Sequence, residues 1–463
     1  MAQPLGGPVP IWSPTRPAVV MDCGTGFSKI GFAGNAEPSF VIPTVLGPGT
    51  PSTVSVPASG AATAGLGGRP GGPLLSDLDF TIGEEALAAA TAGSAGADLT
   101  WPVRRGMVSD WDAMERFWQR SLFHYLRVDP EEHCVVVTEP PLNPPEAREA
   151  MAEIMFETFN VSGLYVGVQA VLALYAGWAS ADRAAKAASG ASSSAGGASA
   201  ASASASSAAA VSAHLTGVVV DVGEGVTHII PVVDGYVLGG GIKSLPVAGR
   251  AVTGFVQQML RDRGEPVPPE MSLEACRRIK EGHCYVAPDM LREFGRYDRD
   301  AAKYFRTLSL GPNPRTGQDI CVDLGYERFL APEVFFSPGI SGVAPAGTPS
   351  LARAVDDVIQ ACPIDTRRAL YGNVVLSGGS TMFKNFGRRL AADMTAATSR
   401  RLQPGATAIE IAVRSHAMQR FAVWFGGSLM ACDPAFGSVC HTREQYQEYG
   451  PSICRTNYVF RDA

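Results

Sequence analysis

The chain has little of what marks several common protein classes. Its nine cysteines form no C-x-x-C pair and its seven histidines no H-E-x-x-H, so neither a zinc-site spacing nor a disulfide framework is visible. Scattered thiols of this kind fit a reducing, cytoplasmic setting. Charged residues make up only 18% of the chain, against about a quarter in an average globular protein. Part of that deficit comes from segments rich in Ala, Ser, Gly and Pro. No block of Lys or Arg stands out and the net charge is −6, which removes the electrostatic footprint of a nucleic-acid binder. The Pro-rich first residues lack the apolar centre of a secretory signal. The most apolar stretch, Leu164–Ala179, falls short of the ~20 residues needed to cross a bilayer and contains Gln169. It reads as a buried helix.

What is present is a long chain with a substantial apolar share. At 463 residues and 46% hydrophobic, it exceeds what one core serves and predicts two to three domains. Residues 1–17 read as a loose arm. Residues 18–42 read as strand, glycine turn, strand. Residues 44–75 form a turn-rich insertion with Gly or Pro at 13 of 32 positions, a composition opposed to helix and sheet interior. Residues 110–126 carry Met114, Phe117, Trp118, Leu122 and Tyr125 near helical spacing, with Asp112 and Glu115 as a candidate capping box. Val135–Val137 is a buried strand, and Pro144 and Pro145 open a helix. Residues 183–213 are Ala or Ser at 25 of 31 positions and read as a surface loop. Helices are predicted near 247–263 and 272–281.

Two short segments share one design. Residues 18–26 and 217–225 are each an apolar run ending in Asp-x-Gly-x-Gly, and a strand-like run follows each. A third glycine turn, Ser377-Gly-Gly-Ser-Thr381, also follows a β-run. Repetition of the device predicts two similar α/β domains facing a cleft. Glycines let backbone N–H groups approach phosphate oxygens without a side chain in the way. In the first turn Thr25 adds a hydroxyl and Lys29 a point charge. Taken alone, this turn is equally an ordinary hairpin with a surface lysine. Asp22 and Asp221 beside a polyanion call for a cation, best met by Mg²⁺ held through water. Hydrolysis would need a positioned water, for which Gln169 and His228 are candidates. A core glutamine and a structural histidine are the plain alternatives. Lys280 and Glu281 read either as ribose or base contacts or as a solvated helix face.

With these residues in place, the chain resembles the actin superfamily, and its actin-related branch in particular. The match covers nearly everything outside residues 1–17, 44–75 and 183–213. It is carried by the glycine turns and by Trp101–Trp111 with Asp112–Phe117, Thr138–Asn143 and Tyr326–Leu330. The run from Cys362 to Leu390, Phe421–Ser428 and Gly450–Arg455 complete it.

The resemblance implies the actin/Hsp70/sugar-kinase (ribonuclease H-like) fold, with two similar α/β domains around an ATP cleft. The first would span 18–176 and be completed by 421–463; the second would span 177–420. It implies phosphate loops at Asp22, Gly24, Thr25 and Gly26 and at Asp221, Gly223, Glu224, Gly225 and Val226, with Lys29 as a phosphate ligand. Gln169 and His228 match water-positioning residues, and Gly378, Gly379 and Met382 match an adenosine wall. Lys280, Glu281 and Arg420 match purine and ribose contacts. Mg²⁺ would sit near Asp22 and Asp221 through water, with ATP or ADP as cofactor. The helix bearing Gln169 would be the interdomain hinge.

Three positions depart from the family pattern. Glu224 stands where Asp is usual, Val222 where Ser is usual and Phe421 where Tyr is usual. The longer Glu224 points to retained binding with weakened hydrolysis.

By the same resemblance the chain is a nucleotide-dependent structural protein of the cytoplasmic actin cytoskeleton, with slow hydrolysis at most. Its partners would be a second actin-related protein and further subunits of a filament-nucleating complex, actin filaments and nucleation-promoting factors. Neither nucleic acid nor a membrane span is expected. A self-polymerising divergent actin is the alternative, with an ATPase or kinase of the same fold behind it.

Overall fold

The structure, a computed structural model, describes residues 16–48, 80–91, 99–188, 215–313, 316–401 and 407–460. The predicted N-terminal arm before residue 16, the turn-rich insertion from 49 onward and the Ala/Ser-rich segment from 189 onward lie outside the described residues. Side chains of the helical residues 181–188 also lie outside them.

Two sheets organise the chain. In the first, β1 (Val19–Cys23) pairs antiparallel with β2 (Phe27–Phe32), which pairs with β3 (Phe40–Pro43). On its other side β1 runs parallel to β4 (Cys134–Glu139), and β4 runs parallel to β5 (Gly163–Val168). The short strand His441–Thr442 closes that edge. The second sheet repeats the plan. β6 (Gly217–Val222) pairs antiparallel with β7 (Thr227–Val233), which carries β8 (Tyr236–Val237) and β9 (Lys243–Leu245). β6 also runs parallel to β10 (Val374–Ser377), and β10 to β11 (Val413–Arg414).

Alternation along the central strands builds three core layers. Val19 and Met21 point into an outer core with Phe117 and Trp118. Val218, Val220 and Val222 point into a second outer core. The residues between them, Val20 and Val219, meet in a shared middle layer. Two helices fill that layer, α1 (Gln169–Ala188) and the segment Ala422–Met430. Period-2 burial on both faces explains why these strands read as continuous Val-rich runs. The two helices pack backbone to backbone: a Cβ at Gly426 would run into the carbonyl oxygen of Leu172. Fully buried Trp424 donates from its indole N–H to the Val20 carbonyl at 3.0 Å, tying the late helix to the first strand.

Several expectations need correction. The apolar run Leu164–Ala179 is not one helix. Its first residues belong to β5 and helix begins at Gln169. Burial on every face erases the periodicity that would separate the two. Residues 110–126 form an α-helix only over Trp111–Arg120, followed by a wider π-helical turn at Ser121–Leu126. Its N-cap is Asp110, which accepts from the Ala113 N–H at 2.9 Å, so the Asp112/Glu115 capping box is not the one used. The turn-rich reading from residue 44 starts too early, because Leu46–Pro48 pairs with Phe80–Ile82. The loop reading from residue 183 also starts too early. α1 continues to Ala188, where alanine's helix propensity prevails. Helices Gly249–Asp262 (α2) and Pro269–His283 (α3) stand near their predicted places. No described helix is long and apolar enough to cross a membrane.

Candidate functional site

The two Asp-x-Gly-x-Gly segments form matching hairpins. In the first, Asp22 lies opposite Lys29, and the Gly24 N–H donates to the Phe27 carbonyl at 3.2 Å. In the second, Asp221 lies opposite His228, and the Gly223 N–H donates to the Val226 carbonyl, also at 3.2 Å. The hairpin tips interlock. A Cβ on Gly26 would lie 2.7 Å from Cγ of Glu224, and one on Gly225 would lie 2.7 Å from Cγ2 of Thr25. Glycine at both positions therefore sets how closely the two sheets approach at the cleft floor.

Asp22 is 4% exposed and fully engaged. Its Oδ1 accepts from the Thr138 hydroxyl at 2.6 Å and from Gln169 Nε2 at 3.4 Å. Its Oδ2 accepts from Lys29 Nζ at 2.9 Å. Burial works against the Lys29 ammonium, but Asp22 and then Asp221 outweigh it and hold its pKa above the ordinary lysine value. Asp221 faces Ser377 across the β6–β10 rung. Burial raises the Asp221 carboxyl, with Ser377 and His228 opposing the rise. Burial likewise lowers His228, with Asp221 opposing, which favours a neutral imidazole. Thr25 closes the floor, its hydroxyl accepting from the Gly106 N–H at 2.8 Å.

A second cluster lies at the far side of the second turn. Lys280, on α3, is 5% exposed and donates from Nζ to Glu224 Oε2 at 3.0 Å. The Ser380 hydroxyl donates to the Gly223 carbonyl at 2.8 Å, linking the third glycine turn to the second. The α2 N-terminus joins them, with the Gly249 N–H on the Gly223 carbonyl and the Arg250 N–H on the Glu224 carbonyl. Lys280 is therefore not on a solvated face. Its neighbour Glu281 is on one, within 3.5 Å of Arg277.

All three turns open onto one cavity of about 480 Å³. Its walls carry Asp22, Gly24, Thr25, Gly26, Lys29, Gln169, Asp221, Gly223, Glu224, Gly225, Val226 and His228. They also carry Lys280, Glu281, Gly378, Gly379, Met382 and Arg420. The structure thus brings together every residue that the sequence nominated. Sequence reasoning missed the parts that reach the cavity through another residue or a remote loop. Thr138 acts through Asp22, and Gly106 comes from the short hairpin Val103–Val108. Phe27, Cys284, Phe383 and Lys384 line the walls without belonging to a turn motif. Because β4 is buried along its whole length, no local alternation singles out Thr138 in the sequence.

The donor set suits a nucleotide with a hard cation. Paired carboxylates, hydroxyls and glycine backbone offer oxygens and N–H groups, the partners of Mg²⁺ and phosphate. No group of three or more His, Cys, Asp or Glu side chains able to hold a metal ion occurs among the described residues.

Matching hairpins from two sheets, interlocked at the floor of a shared cleft, define the two-domain α/β fold of the actin class. The chain belongs to the actin family, whose model, described as Actin, matches residues 13–458. It is 49% identical over 453 residues to actin-related protein 3 of Drosophila melanogaster, covering 96% of this chain and 98% of that protein. It is 47% identical over 456 residues to actin-related protein 3 of Oryza sativa subsp. indica and of subsp. japonica, with the same coverage. These relatives mark it as an actin-related protein, from a family whose members are generally structural.

Proposed function

We propose that the chain binds ATP with Mg²⁺ in this cleft and serves as a subunit of the actin-related protein 2/3 complex. It would pair with actin-related protein 2 and nucleate branched actin filaments by mimicking an actin subunit at the base of the daughter filament. The observation that carries the nucleotide half is the interlocked pair of hairpins, with Asp22, Lys29 and Asp221 turned to one cavity. The names of the relatives, together with near-complete coverage of both chains, support the complex half.

In this reading the turn N–H groups and Lys29 hold phosphate oxygens, and Asp22 and Asp221 hold the water shell of Mg²⁺. The cation supplies charge neutralisation on the phosphates. Thr138 fixes the Asp22 carboxylate, and Gln169 and a neutral His228 orient a water. Gly378, Gly379 and Met382 wall the adenosine, with Lys280, Glu281 and Arg420 at ribose and base. Domain one spans 18–176 with 421–463, domain two spans 177–420, and α1 is the hinge. Nucleotide state then acts as a conformational switch for which slow hydrolysis suffices. The protein works in the cytoplasmic actin cytoskeleton, alongside actin filaments and nucleation-promoting factors.

The test is affinity purification of the tagged protein from its own cells with mass spectrometry of what accompanies it. Recovery of actin-related protein 2 with five smaller subunits is expected. Recovery alone or with actin only would overturn the complex reading, and pelleting of the pure protein in Mg²⁺ and salt would favour a self-polymerising actin.

A further inference from the structure

Glu224 takes an unusual path. Its stem lies in the space that a side chain at Gly26 would fill, and its carboxylate reaches past Gly249, where a Cβ would collide with Oε2. The route ends on Lys280 Nζ at 3.0 Å. The Lys280 ammonium also approaches the Gly249 carbonyl at 3.4 Å, so two of its three donors have partners in the protein. Glu224 and Lys280 both line the cavity, so this ion pair sits within the binding site itself.

A nearly buried ammonium without a counter-charge is costly, and removing one member of such a pair leaves that cost exposed. Something must therefore neutralise Lys280 when the cleft holds no ligand, and Glu224 does so. The same carboxylate opposes a polyanion entering beside it, and it cancels the cation that the polyanion would otherwise meet.

We propose that Glu224 is a built-in stand-in for a ligand oxygen on Lys280, and that it sets nucleotide affinity below what the cleft could reach. This rests on the nucleotide reading above. The stand-in keeps the ligand-free cleft stable at the expense of binding strength. Glu224 thus tunes affinity, while Lys280 acts toward the ligand as one half of a neutral pair.

The test uses the full chain and MgATP as the probe, with Glu224→Gln, Lys280→Met and the double variant, titrated calorimetrically at low and high salt. Glu224→Gln keeps the shape of the stem and removes only the charge. It is expected to bind MgATP about 3–10-fold tighter at low salt, with the gain shrinking as salt screens the freed cation. Its ligand-free melting temperature should fall and its shift on adding MgATP should grow. The double variant should lose both the affinity gain and the drop in melting temperature. Unchanged or weaker binding by Glu224→Gln, or a gain that persists with Lys280→Met, overturns the proposal. Failure of the unsubstituted chain to bind MgATP would instead overturn the nucleotide reading. The ligand-free melting temperatures would then still judge the pair: a fall relieved in the double variant supports it, and no fall overturns it.

Discussion

Lys29 and His228 occupy the same place in two copies of one hairpin. Lys29 is the cross-strand partner of Asp22, and His228 is the cross-strand partner of Asp221. Both pairs face the same cavity, yet their charges differ. The Asp22 carboxylate is paired with a cation at 2.9 Å, whereas burial keeps His228 below its usual pKa beside Asp221. One copy holds an ion pair, while in the other burial disfavours the charged imidazole; under the proposed nucleotide reading this division suits phosphate binding on one side and water orientation on the other.

The first prediction concerns the charged copy. Lys29→Ala or Asp22→Ala should abolish MgATP binding and branch nucleation together, because each leaves its partner unpaired in a buried setting. Equilibrium binding and a branching assay on the same preparations provide the check. Normal branching by a variant shown to carry no nucleotide would refute it.

Thr138 offers a finer test. Its hydroxyl donates to Asp22 at 2.6 Å. Thr138→Val keeps the shape and removes the donor, and should weaken MgATP binding by ~1–2 kcal/mol. Thr138→Ser should recover most of the loss. Equal effects of the two substitutions would mean that packing alone matters at this site.

Stability should fall as the medium is acidified through the histidine range. Burial holds His416 below the ordinary value of 6.5, and neither of its ring nitrogens has a hydrogen-bond partner. Burial also lowers His441, and lowers His228 against the pull of Asp221. Below about pH 6.5 the unfolded chain therefore binds more protons than the folded one, and the melting temperature declines. Asp221, held up by burial, has the opposite sign. The measurement is accordingly a comparison with His416→Gln, whose melting temperature should fall less steeply between pH 7.5 and 5.5. Parallel curves would exclude His416 as a contributor.

Gly426→Ala should cost ~3 kcal/mol, since the new methyl meets backbone and cannot be accommodated by a rotamer change. Chemical denaturation reads this directly. Gly437→Ala serves as the control, because nothing lies within 4 Å of a Cβ there.

The sequence carried the cleft more clearly than the elements around it. The three glycine turns announce themselves because each needs small residues at fixed spacing after an apolar run, and all three reach one cavity. Thr138 was silent, since its role depends on the parallel register of β4 against β1, which no local pattern encodes. The Glu224–Lys280 pair was equally hidden. It joins a hairpin to a helix 56 positions away, and a lysine at that spacing is usually solvated. The boundary between β5 and α1 was lost because Leu164 to Leu174 is buried almost throughout, leaving neither period visible.

The bond from Trp424 to Val20 spans 404 residues of chain. During synthesis the first strand therefore waits for the helix that covers its inner face. At ribosomal rates of about 5–20 residues per second, that wait is roughly 20–80 s. Through this interval the Val-rich inner face of the first sheet lacks one of its native covers, a period of exposure written into the order in which the chain returns to its own beginning.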